Sequence, residues 1–246
     1  MPAPSNQYAE YIKGYGPIPP DQGVYSESAT QKAILGSRLE FHDGRVFRYA
    51  KAGATALAAG KFMKIGAGAV VMSLNVTVGA AATTGTYTAT VATPAAVTTL
   101  EEGYLQVNDG TGQGCQYKIK YTAANADTAT STDVTLYDPL AAGLLTSSEV
   151  TILYNPYEQC EVSSAVTDIL IGVTPIAVTA EYYFWLQTWG VACVVSEAAT
   201  AAGNVAEPGA AGGTTVNNAD SALDAAVMML VGVSTEFKPV MLRITP

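Results

Sequence analysis

Between residues 79 and 161 the chain is a succession of short stretches rich in Val, Thr and Tyr, each closed by Gly, Asn, Asp or Pro. That grain favours pleated strands over helices. Strands are predicted over 86–92, 104–107, 116–121, 134–137 and 150–154, and their short, regular spacing predicts a sandwich or barrel. Hydrophobic residues make up 49% of the 246 residues and charged residues only 13%, enough apolar surface for one sizeable core or two small ones. Most of that apolar content is Ala and Val rather than Leu, so the fold class read here is all-β.

The flanking segments carry the same signature. Two apolar-polar stretches surround Asp43-Gly44, a two-residue hairpin signal. Residues 52–60 read as a small-residue turn before strands at 62–65 and 69–78. The most apolar part, 168–173, 176–188 and 191–196, brings Trp185 and Trp189 close together and is the expected main core. Residues 197–213, rich in Ala and Gly and carrying Pro208, read as a long mobile loop. A final strand pair is predicted over 227–233 and 237–244 around Ser234 and Thr235, although 220–229 reads equally well as a short helix capped by Asp220 or Ser221. The organisation is therefore an extended N-terminal arm (1–37), a basic hairpin with the first core strands (38–78), an inserted or outward second small β domain (79–161), and a main β core (162–246) that is sandwich- or barrel-like.

Charge is distributed unevenly along this order. Eight of the 12 basic residues fall at or before Lys64, and none lies between Lys120 and Lys238. The first 64 residues carry eight basic against five acidic groups, about +3, and the remainder four against 16, about −12, which sum to the net −9. Lys32, Arg38, Arg45, Arg48 and Lys51 cluster around the Asp-Gly turn and face only Glu40 and Asp43. The arm before them holds five prolines together with Tyr8, Tyr11, Tyr15 and Tyr25, and has too little aliphatic content to fold alone. Tyrosines offer broad contact area with a polar tip, so the arm is expected to lie on another subunit, with wrapping on its own domain as the alternative. The basic cluster is interleaved with Phe41, Phe47 and Tyr49 as in a nucleic-acid surface. The net −9 would repel a polyanion elsewhere, so docking on an acidic protein surface is the better account and no nucleic acid is expected.

Catalytic signatures are weak. His42 is the single histidine and sits at a hairpin turn, with no nucleophile motif to accompany it. Gly110-Thr111-Gly112-Gln113-Gly114 precedes a predicted strand rather than the helix a dinucleotide site needs, so it reads as a hairpin loop. Asn108 and Asp109 beside it lack the alternating ligands of a calcium loop. Glu101-Glu102 reads as a solvated turn. Cys115, Cys160 and Cys193 have neither disulfide arithmetic nor metal spacing and are expected as small buried thiols. The expectation is a non-enzyme without cofactor or metal. No apolar segment reaches the ~20 residues of a membrane helix, and the first residues lack the features of a secretory signal, so assembly in a cytoplasm is expected.

Three phrases carry a resemblance. Gly44-Arg45-Val46-Phe47-Arg48-Tyr49-Ala50-Lys51-Ala52-Gly53, continuing through Leu57-Ala58-Ala59-Gly60-Lys61, is similar to the leading segment of structural proteins encoded in the head modules of tailed bacteriophages. So are the stretches from Gly103 to Gly112 and from Tyr182 to Gly190. Together they resemble a capsid decoration, or cement, protein. The resemblance implies a virion structural protein that binds the major capsid protein on the outside of the assembled shell in the bacterial host cytoplasm. It further implies a homo-oligomer, with a trimer favoured, that stabilises the capsid by bridging capsomers, with no cofactor. Tyr8, Tyr11, Tyr15, Tyr25, Arg38, Arg45, Arg48 and Lys51 are then the capsid-contact candidates. The alternative is a receptor- or glycan-binding module of a head or tail fibre, with Tyr137, Tyr154 or Tyr157 lining a sugar site.

Overall fold

The computed structural model describes residues 22–66, 73–92, 100–124, 131–216 and 225–246. The fold is all-β, with 16 strands and no helix among the described residues. Two compact units share the chain: one takes the residues up to Gly66 together with Tyr157–Pro246, and the other is Ala67–Pro156, inserted between them.

The first unit is a 10-stranded sheet assembled from both sides of the insertion. Its early strands are β1 (Arg38–Glu40), β2 (Val46–Lys51) and β3 (Phe62–Lys64). Its late strands are β10 (Glu161–Val162), β11 (Leu170–Val173), β12 (Tyr183–Val195), β13 (Val205–Pro208), β14 (Thr214–Val216), β15 (Ala226–Met228) and β16 (Phe237–Arg243). The 13-residue β12 organises them. Its first half pairs antiparallel with β2, its second half with β16, and Gln187 meets Val173 of β11. Phe184, Trp185 and Leu186 are fully or almost fully buried. Trp185 meets Tyr49 edge-on at 5.0 Å, in a cluster with Phe41 and Phe47. Aromatic pairs of this geometry contribute about 0.5–1.5 kcal/mol beyond the area they bury.

The inserted unit is a closed antiparallel barrel. Its strands are β4 (Ser73–Ala80), β5 (Thr88–Val91), β6 (Tyr104–Asp109), β7 (Gln116–Ala124), β8 (Thr132–Leu136) and β9 (Glu149–Leu153), hydrogen-bonded in the order β4-β5-β8-β7-β6-β9 with β9 returning to β4. Closure removes the unpaired edges that would otherwise invite aggregation. Alternation in sequence becomes alternation in space: in Thr132–Leu136, Thr132, Val134 and Leu136 are buried while Asp133 and Thr135 are half-buried. Val91, Leu105, Ile119, Val134, Val150 and Ile152 fill the interior. The Gly110–Gly114 loop joins β6 to β7 as a hairpin, all three of its glycines having positive φ.

Several expectations change. The barrel takes in β4, which lies within the span assigned above to the first core strands. Residues 176–182 form no continuous strand, because the chain there bonds to the segment that follows β2: Tyr182 O accepts from Ala52 N, Gly53 O accepts from Glu181 N, and Leu57 bridges Val178. The 197–213 segment is no featureless loop, for it contains β13 and packs its Ala210–Gly213 turn on the Glu197 carboxylate, which accepts from Ala211 N at 3.1 Å and from Gly213 N. The final pair forms as β15 and β16, but β15 ends at Met228, so 229–233, expected as strand, belong to the connection instead. Asp220 and Ser221 lie outside the described residues, and Ala226–Met228 is strand rather than helix. Cys160 is buried and Cys115 half-buried, but Cys193 is exposed on the outward face of β12.

Glycine is required inside β12 itself. Gly190 has φ +85°, and a Cβ there would sit 3.0 Å from Arg45 Cα and 3.1 Å from Gly44 O. It lies next to Trp189, the one residue of β12 that pairs with both β2 and β16. Gly190→Ala is therefore expected to destabilise the protein by about 1–3 kcal/mol through a strained left-handed residue and the crowding of the β1–β2 turn. Urea unfolding checks this: the midpoint should fall with no change in slope.

Candidate functional site

Three of the basic residues around the turn are paired with carboxylates, locally or across the sequence. On the hairpin, Arg38 pairs with Glu40 at 2.6 Å and Arg45 with Asp43 at 2.7 Å. Arg48 donates to Gly36 O at 3.2 Å and Pro246 O at 3.3 Å, joining the hairpin to the last residue. Further along, Lys51 pairs with Glu181 at 2.7 Å, Lys64 with Asp168 at 3.4 Å and Lys61 with Glu197 at 3.8 Å. Three carboxylates of the lysine- and arginine-free span, Asp168, Glu181 and Glu197, thus meet cations from the chain's first 64 residues. Partly exposed pairs of this kind contribute at most about 1 kcal/mol each. Their larger effect is on the surface, where Arg38, Arg45 and Lys51 are already paired, while Arg48 bonds backbone oxygens and Lys32 is exposed.

The arm divides as well. Tyr8, Tyr11 and Tyr15 lie outside the described residues. From Gln22 onward the chain packs on its own unit. Gln22 is only 3% exposed, donates to Tyr183 O at 2.9 Å, accepts from Tyr49 Oη at 2.8 Å, and through its own carbonyl accepts from Trp185 Nε1 at 3.3 Å. Val24 and Leu35 are buried with the same aromatic cluster, and Ser28 bridges Tyr183. Tyr25, by contrast, is 66% exposed.

Tyr25 and Arg45 stand at one end of a cleft of about 280 Å³ that also takes in Val191, Cys193, Phe237 and Pro239. The guanidinium of Arg45 lies 5.0 Å from the Phe41 ring and 5.9 Å from the Phe47 ring. Burial works against its charge, but Asp43 and the Tyr25 side chain more than compensate and raise its pKa above the ordinary arginine value. Along the cleft β12 and β16 run in register, Val191 opposite Met241, Cys193 opposite Pro239 and Val195 opposite Phe237, so these side chains share one face of the sheet. The opposite face is closed: Ala192, Val194, Val240 and Leu242 are buried. The connection from β15 to β16 continues the apolar surface, with Leu230 57% and Val231 59% exposed ahead of Phe237 at 52%. Met229 N donates to Pro239 O at 3.1 Å and holds that connection beside β16.

The sequence reading singled out charge and tyrosine and missed this apolar face. Its signal was present in Val191-Ala192-Cys193-Val194-Val195, a strand apolar on both faces, which is the pattern of a strand covered on both sides. Of the tyrosines considered for a sugar site, Tyr137 is exposed, Tyr154 packs against the barrel core, and Tyr157 packs among the apolar residues of the first unit. His42 is exposed at its turn. Comparison with protein-family models, with curated proteins and with solved structures finds no match to this chain.

Asp168 gives the ion pairs a measurable pH signature. Burial opposes its ionisation, yet donation from Ser164 N, Ser163 Oγ and Ala165 N, together with Lys64, lowers its pKa below the ordinary carboxylate range. With the folded value depressed, its stabilising contribution is complete above about pH 4 and is lost as pH falls through the lowered value. Asp168→Asn should leave a protein that is less stable at neutral pH and shows a shallower loss of stability on acidification. Urea midpoints measured above and below about pH 4 in both proteins test this.

Proposed function

We propose that the protein is a capsid decoration protein: a virion structural component that binds the outer surface of a tailed-phage shell and stabilises it by bridging capsomers. The observation that carries this reading is the bare side of β12 and β16. A strand apolar on both faces is covered on one side by its own unit and on the other only in part, by Tyr25, Arg45, Gly60 and Pro175, which leaves Val191, Cys193 and Phe237 exposed, and burial of such a face favours association. The resemblance of the hairpin, the 103–112 loop and the 182–190 strand to phage head proteins supports the same partner class, the major capsid protein.

The arrangement divides labour between the units. The sheet unit supplies attachment through Tyr25, Phe237 and the Leu230-Val231 connection, with Arg45 at the margin. Arg38, Arg48 and Lys51, already engaged by Glu40, Gly36, Pro246 and Glu181, act inside the hairpin region first and as contacts second. The barrel closes its own core and is the displayed part. Function is mechanical: each bound subunit adds contact area across capsomer boundaries and favours the assembled state by mass action, and a homotrimer would multiply modest single-site affinity by avidity.

The test is occupancy of undecorated capsids. Leu230→Asp with Phe237→Asp should lower occupancy about tenfold or more, with thermal unfolding nearly unchanged because both side chains are exposed in the free protein. Deletion of residues 1–21 isolates the arm, since it keeps Gln22 and its buried hydrogen bonds. Occupancy undiminished by the double substitution sinks the proposal, whereas a loss on arm deletion alone relocates the contact to the arm.

A further inference from the structure

We infer that the outer wall of the barrel across β5, β8 and β7 is a carbohydrate-binding site for a neutral, hexopyranose-containing oligosaccharide. The inference is independent of the capsid reading, since it concerns only the inserted unit.

The site begins with an irregularity in β7. Pairing between β7 and β8 shifts register between Ile119 and Tyr121, and the extra residue leaves Lys120 and Tyr121 both exposed. Tyr121, 55% exposed, lies opposite Thr135, and Thr135 lies opposite Thr88, so a ring and two hydroxyl-bearing residues form a row across three strands. Tyr137, two residues beyond Thr135, is 41% exposed, and Lys120 Nζ stands 5.8 Å from its ring centroid. In the next row Thr90 Oγ1 donates to Asp133 Oδ1 at 2.6 Å. Thr88 and Thr90 also floor a hollow of about 210 Å³ bounded by Thr83, Thr86 and the 80–82 segment. Aromatic platform and hydroxyl-lined hollow are therefore contiguous.

That combination matches a pyranose. A sugar ring offers an apolar C–H face for a tyrosine ring and a periphery of hydroxyls that both donate and accept. Threonine hydroxyls do the same, and the Asp133 carboxylate keeps acceptor capacity beyond the bond from Thr90. Tyrosine also loses little conformational entropy on binding, which suits a shallow site. The barrel segment 67–156 holds two lysines against seven acidic residues, so its field disfavours acidic glycans and leaves Lys120 as a local hydrogen-bond donor.

The experiment uses the full chain with maltohexaose, cellohexaose and chitohexaose as neutral probes and a galacturonate hexamer as the acidic one, followed by calorimetry and by NMR of the tyrosine ring signals. Binding of at least one neutral hexasaccharide is expected with Kd on the order of 0.1–1 mM, with perturbed signals confined to the Tyr121 and Tyr137 rings and their neighbours. Tyr121→Ala and Tyr137→Ala should each weaken binding about tenfold, and Tyr25→Ala, in the other unit, should not. The NMR mapping on the unsubstituted chain keeps the test sharp even where a variant is destabilised. Absence of binding by every neutral probe at about 10 mM, affinity that survives the Tyr121→Ala, Tyr137→Ala double substitution, or preference for the galacturonate oligomer would each overturn the inference.

Discussion

Everything in the first unit depends on the backbone hydrogen bonds of Tyr183–Val195. A buried strand of this length carries N–H and C=O groups that must be paired away from water, and the partners come from β2 before the insertion and from β11 and β16 after it. The core follows from this pairing. Once β12 lies against β2, Trp185 falls beside Tyr49, and Gln22 is drawn in to satisfy the Trp185 indole and the Tyr49 hydroxyl. The same pairing exposes an apolar face, since β12 and β16 in register place Val191, Cys193 and Phe237 on one side of the sheet, where Tyr25 and Gly60 cover them only in part.

Charge works at a second level. The uneven distribution of lysine and arginine along the chain resolves, in space, into pairs between early cations and late carboxylates: Lys51 with Glu181, Lys61 with Glu197, Lys64 with Asp168. Such pairs contribute little energy individually, but each joins a residue before the insertion to one after it. They complement the sheet, which is built from the same two segments. Around the hairpin Arg38, Arg45 and Lys51 are engaged within the chain, and this shifts the weight of a binding argument from cations to the apolar face.

Much of the fold was legible in the sequence because strand signals are local. Asp43-Gly44 and the Gly110–Gly114 loop each mark a hairpin by residue types that the turn itself requires, and the barrel strands announce themselves by alternation. What the sequence could not supply was pairing at a distance. Residues 176–182 carry apolar residues like the strand that follows, yet they bond to the 52–57 segment after β2 instead of extending β12. Cys193 reads as buried by residue type and is exposed because its side of the sheet is uncovered. The tyrosine platform was only partly legible: Tyr137 stood out, but Tyr121 joins it through a bulge that no residue type announces.

The two ends of the inserted segment leave the sheet unit side by side. Met63 and Lys64 pair with Val162 and Glu161 of β10, and a Cβ on Gly66 would run into the carbonyl of Gln159. The sheet unit therefore sees its insertion as a closed loop whose ends are already clamped, and lengthening such a loop costs only about 0.6 kcal/mol per doubling. In evolutionary terms the junction is a socket: the barrel can be exchanged for a different module whose termini lie close together, while the pairing of the sheet unit stays as it is. A lineage of such proteins would diversify most rapidly between residues 66 and 157, and the same junction is where an engineer would splice in a foreign domain for display.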